Sequence, residues 1–345
     1  MTLQRSLSIA LAAAVALSIP AAPVQAGGKL GWQLTETGTT SQFRGLAPVS
    51  AKVAWVAGAA GTILRTVDGG RSWASVGPAA AAGLEFRDIE AFDARNAVAL
   101  TIGNGEDSRV YATSDGGRSW AETFRNTDPV AFYDCMTFLD RRHGLALSDP
   151  VDGKFRILST RDGGRSWTVV SPAGMPAALP GEFAFAASGT CLVSAGGQAM
   201  FATGGGASAR VFTSRDGGRH WSVTSTPVPS GPSAGIYSLA LHRSGKAIAV
   251  GGDYVTPTAA PAGAAYLHGR TWTVARTVPG EYRSGSTWTG RGNTALTVGP
   301  TGSDVSYDGG RTWKRFDTGS FDAVDCAADG ACWASGSKGR VAGLR

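Results

Sequence analysis

Residues 66–73 read TVDGGRSW, and the same octapeptide returns as TSDGGRSW at 113–120, TRDGGRSW at 160–167, SRDGGRHW at 214–221 and SYDGGRTW at 306–313. A sixth, shortened copy, YLHGRTW at 266–272, keeps the Gly and the Trp but lacks the Asp. Successive tryptophans lie 47, 47, 54, 51 and 41 residues apart by subtraction of their numbers. That interval is close to the length of one four-stranded blade, so the repeat predicts a β-propeller.

The octapeptide carries its own physical explanation. A carboxylate can accept backbone N–H bonds across a tight turn, and paired glycines reach backbone angles closed to other residues. The Trp that follows leaves the turn to pack between sheets, where such a side chain buries about 150–250 Å². Asp68, Asp115, Asp162, Asp216 and Asp308, with Trp73, Trp120, Trp167, Trp221 and Trp313, are therefore expected to be structural. A catalytic group repeated in every blade would serve no chemistry.

Between the turns each repeat reads as four strands; in the first they fall near 43–49, 53–57, 62–66 and 73–76. Further repeats start near Phe86, Tyr133, Phe183, Tyr237, Tyr282 and Phe321. The last lacks its fourth strand, and Trp32-Gln33-Leu34 resembles a fourth strand without the preceding three. Pairing the two ends closes the ring, removes exposed sheet edges and gives seven blades in one domain, 27–345. The composition agrees with an all-β chain of short strands: 49 Gly, 16 Pro and 10 Trp in 345 residues, with 17% charged.

Residues 1–26 have the form of a secretory signal, with Arg5, an apolar run over 9–19, and Val24-Gln25-Ala26 ahead of Gly27. The expected mature chain is exported, periplasmic or secreted, without a transmembrane anchor: no later segment approaches the roughly 20 apolar residues a membrane helix needs. Export permits disulfides. Cys326 and Cys332 flank a five-residue turn between strand-like runs and are the favoured pair; for Cys135 and Cys191, in non-equivalent strands of adjacent repeats, free thiols and a bond are both open.

The net charge of +6 comes from singly placed Lys and Arg, with no basic run interleaved with aromatics, which argues against nucleic acid as a partner. No CxxC, His-rich or HExxH pattern occurs, so neither a metal nor a cofactor is expected. The Gly204-Gly205-Gly206 stretch lacks the Lys of a phosphate loop and reads as a flexible loop.

The octapeptides resemble the Asp-box, or BNR, pattern of sialidases, sortilin-like receptors and the photosystem II stability and assembly factor-like family. Resemblance to the last extends over FRG at 43–45, AWVAGAAGTILRTVDGGRSW at 54–73 and CWASGSKGRV at 332–341. It implies an assembly factor that binds protein partners, such as envelope or membrane-protein subunits, without implying photosynthesis. The sialidase resemblance implies the alternative, a glycan-binding propeller or a glycoside hydrolase. The box alone does not transfer that activity. FRIL at 155–158 falls on a third strand and not near the start, and Glu281-Tyr282 would point to opposite faces of a strand.

On the face opposite the octapeptide turns, positions entering the innermost strands include Arg44, Arg87, Asp134, Glu182, Tyr237, Arg283 and Asp322. Three guanidinium groups, those of Arg44, Arg87 and Arg283, are expected to ring the channel. They suit carboxylates, including a partner's acidic tail or C-terminus, because the planar fork bonds in pairs. Pairing of these arginines with nearby acids is the bland alternative. Loops between strands two and three add Asp149, Asp253 and Tyr254 as binding candidates, with Glu106 and Asp107 beside them.

Overall fold

The computed structural model describes residues 29–345; the expected signal segment 1–26 lies outside the described residues. Seven four-stranded antiparallel sheets are present, and each is an up-and-down blade. Blade one runs from the innermost strand Phe43–Pro48 through Ala54–Gly58 and Ile63–Thr66 to Ala74–Ser75. The seventh sheet holds Ala323–Cys326, Cys332–Ser335 and Val341–Leu344, and its outer strand is Trp32–Thr35 from the other end of the chain. Trp32 sits opposite Leu344 and Thr35 opposite Val341, so the two ends close the ring.

The octapeptide turns are built as their residues require. Asp68 accepts from the backbone N–H of Ser72 at 3.0 Å and from the Ser72 hydroxyl at 2.7 Å, while Thr66 donates to it at 2.9 Å. Gly69 and Gly70 have φ of 78° and 80°, which a side chain would oppose. Those Ser72 bonds hold the Asp68 carboxyl down at about 2. In the shortened copy, His268 and Thr271 pair directly around Gly269-Arg270; a tighter hairpin replaces the carboxylate, and Trp272 still packs at 6% exposure.

Packing lies between neighbouring blades. Trp55 and Ile63 of blade one join Phe86, Ile89 and Tyr111 of blade two in one buried cluster. Trp73 meets Trp333 edge-on at 6.1 Å, linking blades one and seven. Trp221 packs on Phe201 at 4.9 Å and donates its Nε1 proton to the Gly218 carbonyl at 2.9 Å.

Blade four departs from the expected strands. Its innermost strand is Leu192–Ala195 and does not start at Phe183. In blades one, two, three and five the inner strand carries a single bulged residue near its entry: Arg44, Arg87, Asp134 and Tyr237. At the corresponding point of blade four, Phe183 bridges to Gly204, and residues 184–191 then leave the ladder before Leu192 pairs with Phe201. The excursion enters the channel, where Ser188 donates to the Ser284 carbonyl of blade six at 2.8 Å and Thr190 shares a 2.6 Å bond with Ser238 of blade five. Cys191 is bonded to Cys135 of blade three, and Cys326 to Cys332 across their hairpin. Nor is the 204–206 glycine stretch a free loop. A Cβ on Gly204 would lie 2.6 Å from the Gly235 Cα, so glycine is needed there for close backbone approach.

Candidate functional site

The loops entering the inner strands and those joining strands two and three share one face, where they surround a cavity of about 1110 Å³. Its floor is the 184–191 excursion. Phe185 stacks on Tyr237 with ring centres 4.2 Å apart and planes 16° from parallel; Tyr282 meets Tyr237 edge-on at 4.8 Å. Tyr254 and Phe183 stand at the rim, 56% and 44% exposed. Large side chains left that open beside a concavity form an apolar contact surface.

Two of the three expected arginines reach this cavity. Arg44 lines it, and its buried Nε has no hydrogen-bond partner; Asp322 is 4.0 Å away and accepts instead from Gln42 at 2.9 Å. Arg87 also lines it, held by Glu85 at 2.7 Å and by the Ala186 carbonyl of the excursion. Burial, and then the nearby charge of Arg44, lower the Arg87 guanidinium to about 10. Two like charges are thus kept close together in a partly dry site, an arrangement that an incoming anion would relieve.

Arg283 corrects the expected ring. Its side chain is fully buried and its Nε donates to Asp304 at 2.7 Å, with Nη1 on Thr301 at 2.9 Å. The sequence places it in register with the other two, but blade six turns the side chain under the loop. Glu182 is corrected likewise. Although beside the cavity, it is 2% exposed, and its carboxylate is consumed by Arg210 and the Thr203 hydroxyl. Asp253 is not on the cavity wall and caps its own loop by accepting from the Val255 N–H at 2.9 Å. Glu106 pairs with Arg125 at 3.2 Å.

Asp134 and Asp149 do come together in the cavity. Burial and then the Asp149 charge push Asp134 well above the usual carboxylate range, and Arg87 opposes this only in part. Asp149 is pushed up to about 7 by burial, against the bond it accepts from the Ala184 N–H at 2.8 Å. Each of these carboxyls donates when protonated and accepts when ionised, beside the guanidinium groups of the same wall. Glu281 binds Arg315 while Tyr282 lines the cavity; both lie ahead of the inner strand Gly285–Trp288 and not on a strand as expected.

Phe185 and the plug were missed from sequence. Two signals pointed to them: the interval from Trp167 to Trp221 is the longest in the chain, and FAFAA at 183–187 breaks the strand pattern of the other repeats.

The geometry defines a seven-bladed propeller with a plugged channel and, on one face, an aromatic, arginine-bearing cavity. Searches with the sequence match no family model and no curated protein. Similar solved structures are propellers. "YCF48 bound to D1 peptide" aligns over 94% of this chain and 97% of that one at 15% identity and a TM-score of 0.65. YCF48 from Cyanidioschyzon merolae covers 91% and 98% at 14% identity with a TM-score of 0.64, and a streptogramin B lyase covers 92% and 98% at 12% and 0.64. At such identities the likeness shows the fold alone.

Proposed function

We propose that this chain is an exported scaffold that binds a segment of a protein partner in the cavity, as a step in assembling or escorting that partner. The observation that carries the reading is Arg44: a guanidinium on the cavity wall with a buried Nε lacking any partner, beside Arg87 and an open aromatic rim. Asp322 approaches no closer than 4.0 Å, so the part-exposed guanidinium keeps donors for an incoming group. An extended peptide carrying a carboxylate and an apolar side chain supplies both contacts. A structure of similar fold has a peptide bound, which agrees with this use of a propeller.

The geometry supports binding over glycan hydrolysis. The sialidase resemblance implies an arginine triad and a Tyr nucleophile with a Glu partner; here Arg283 is spent on Asp304, and Glu281 is held by Arg315. The test is affinity capture from detergent-treated envelope extract with the native chain beside an Arg44→Ala, Tyr254→Ala variant. Proteins held by the native chain and lost from the variant support the reading. Identical capture by both, or turnover of a fluorogenic sialoside by the native chain, overturns it.

A further inference from the structure

The two faces of the ring treat arginine differently. On the cavity face and its flanks Arg87, Arg109, Arg125, Arg156, Arg210 and Arg283 each lie within 4.0 Å of a carboxylate. The opposite face is made by the octapeptide turns and by the loops joining strands one and two; Gly69 donates to the Lys52 carbonyl and Gly116 to the Arg95 carbonyl, which places both kinds of loop together. There Arg71, Arg118, Arg165, Arg219 and Arg311 occupy one position of one turn in five blades, and so stand at one height around the ring. Arg95, Arg142, Arg243 and Arg291 add exposed cations from the neighbouring loops.

Among the described residues of this face, Arg141, 3.4 Å from Asp93, is the one arginine that reaches a carboxylate. The acids present are occupied by their own backbone. Asp93 accepts from the N–H groups of Arg95 and Asn96, Asp140 from those of Arg142 and His143, and Asp329 from those of Ala51 and Ala331. Arg71 and Arg219 donate only to the carbonyl of their turn's Asp. Each octapeptide Asp stands three residues before its Arg and offsets that charge within the turn, so the cations that stand exposed beyond the turns are Arg95, Arg142, Arg243 and Arg291, with Lys52 and Lys246, and the face keeps a net positive charge. It also exposes Tyr307 at 65% and Val67 at 51%, both at the second position of their turns.

We propose that this face docks on an anionic phospholipid surface. Cations distributed over a level disc match a planar array of phosphates, whereas a nucleic acid asks for a track or groove with stacking platforms. Exposed Tyr and Val beside them suit the apolar edge of the headgroup layer. Docking in this way leaves the cavity on the far face open to a partner.

The experiment is co-sedimentation of the full chain with vesicles of phosphatidylcholine alone and of phosphatidylcholine mixed with phosphatidylglycerol. Apolar residues at the start of the chain act equally on both, so the difference reads the face. The expected result is salt-sensitive binding that favours the anionic vesicles, weakened roughly a thousandfold by Arg71→Ser, Arg118→Ser, Arg165→Ser and Arg219→Ser together. A second variant, Arg95→Ser, Arg243→Ser, Arg291→Ser, leaves every octapeptide intact and is expected to weaken binding in the same sense. No preference for anionic vesicles, or a preference that both variants retain, overturns the proposal. Binding of duplex DNA or heparin without binding of anionic vesicles overturns the lipid assignment as well.

Discussion

Cys135 and Cys191 are joined by a disulfide with Cα atoms 6.2 Å apart, so the inner strand of blade three holds the end of the plug that blade four sends into the channel. Both cysteines are fully buried, and the bond closes a loop of more than fifty residues. Replacing both with Ala is expected to lower stability by about 2–4 kcal/mol, seen as a lower urea midpoint with little change in slope. A midpoint equal to that of the native chain would show that plug packing alone suffices.

Arg283 and Arg44 are predicted to separate cleanly. Arg283→Ala strands the buried Asp304 without its partner and is expected to cost about 3–5 kcal/mol. Arg44→Ala removes a part-exposed side chain whose one acid neighbour, Asp322, stands 4.0 Å away, and is expected to leave the thermal midpoint nearly unchanged while abolishing peptide binding. Thermal melts of the two variants decide this.

Much of the fold was legible because the octapeptide states its own turn, and because the missing fourth strand and the surplus Trp32–Thr35 strand require each other. The site was legible only in part. Register along a repeat shows which residue enters a strand, and Arg44, Arg87 and Asp134, read in this way, line the cavity. Register does not show that Asp304, 21 positions beyond Arg283, lies within 2.7 Å of it. Nor does a period reveal an insertion that crosses the channel, since residues 184–191 make their contacts with four other blades.

Trp221 is 7% exposed and packs on Phe201. Trp221→Ala opens a cavity between blades three and four and is expected to cost about 3–5 kcal/mol. Calorimetric melting checks this; a loss below about 1 kcal/mol would show that the octapeptide tryptophans do not anchor the blades.

Within the channel, below the plug, burial pushes Asp88 up to about 7 and Asp325 to about 6, and burial with those two neighbours raises Glu90 well above its usual range. All three are raised relative to an unfolded value near about 4, so their protonated forms favour the fold. Their contribution is fully present below that value and is lost as pH rises through about 6–7. Asp68 acts oppositely: its lowered carboxyl adds stability above about 4 that is lost as pH falls toward about 2. The melting temperature is expected to decline from about pH 5 to about pH 8, and Glu90→Gln is expected to flatten that decline. A rising profile over this range would contradict it.

The central claim is that the cavity holds a carboxylate-bearing peptide through Arg44 and its aromatic rim. The most direct measurement is selection of the full chain against a display library of short peptides with free C-termini, followed by fluorescence anisotropy of the enriched peptides. Enrichment of sequences combining a carboxylate with an apolar side chain, with binding weakened by salt and lost in Arg44→Ala and in Tyr254→Ala, is the predicted result. No enrichment, or enriched peptides that bind both variants as tightly as the native chain, would contradict it.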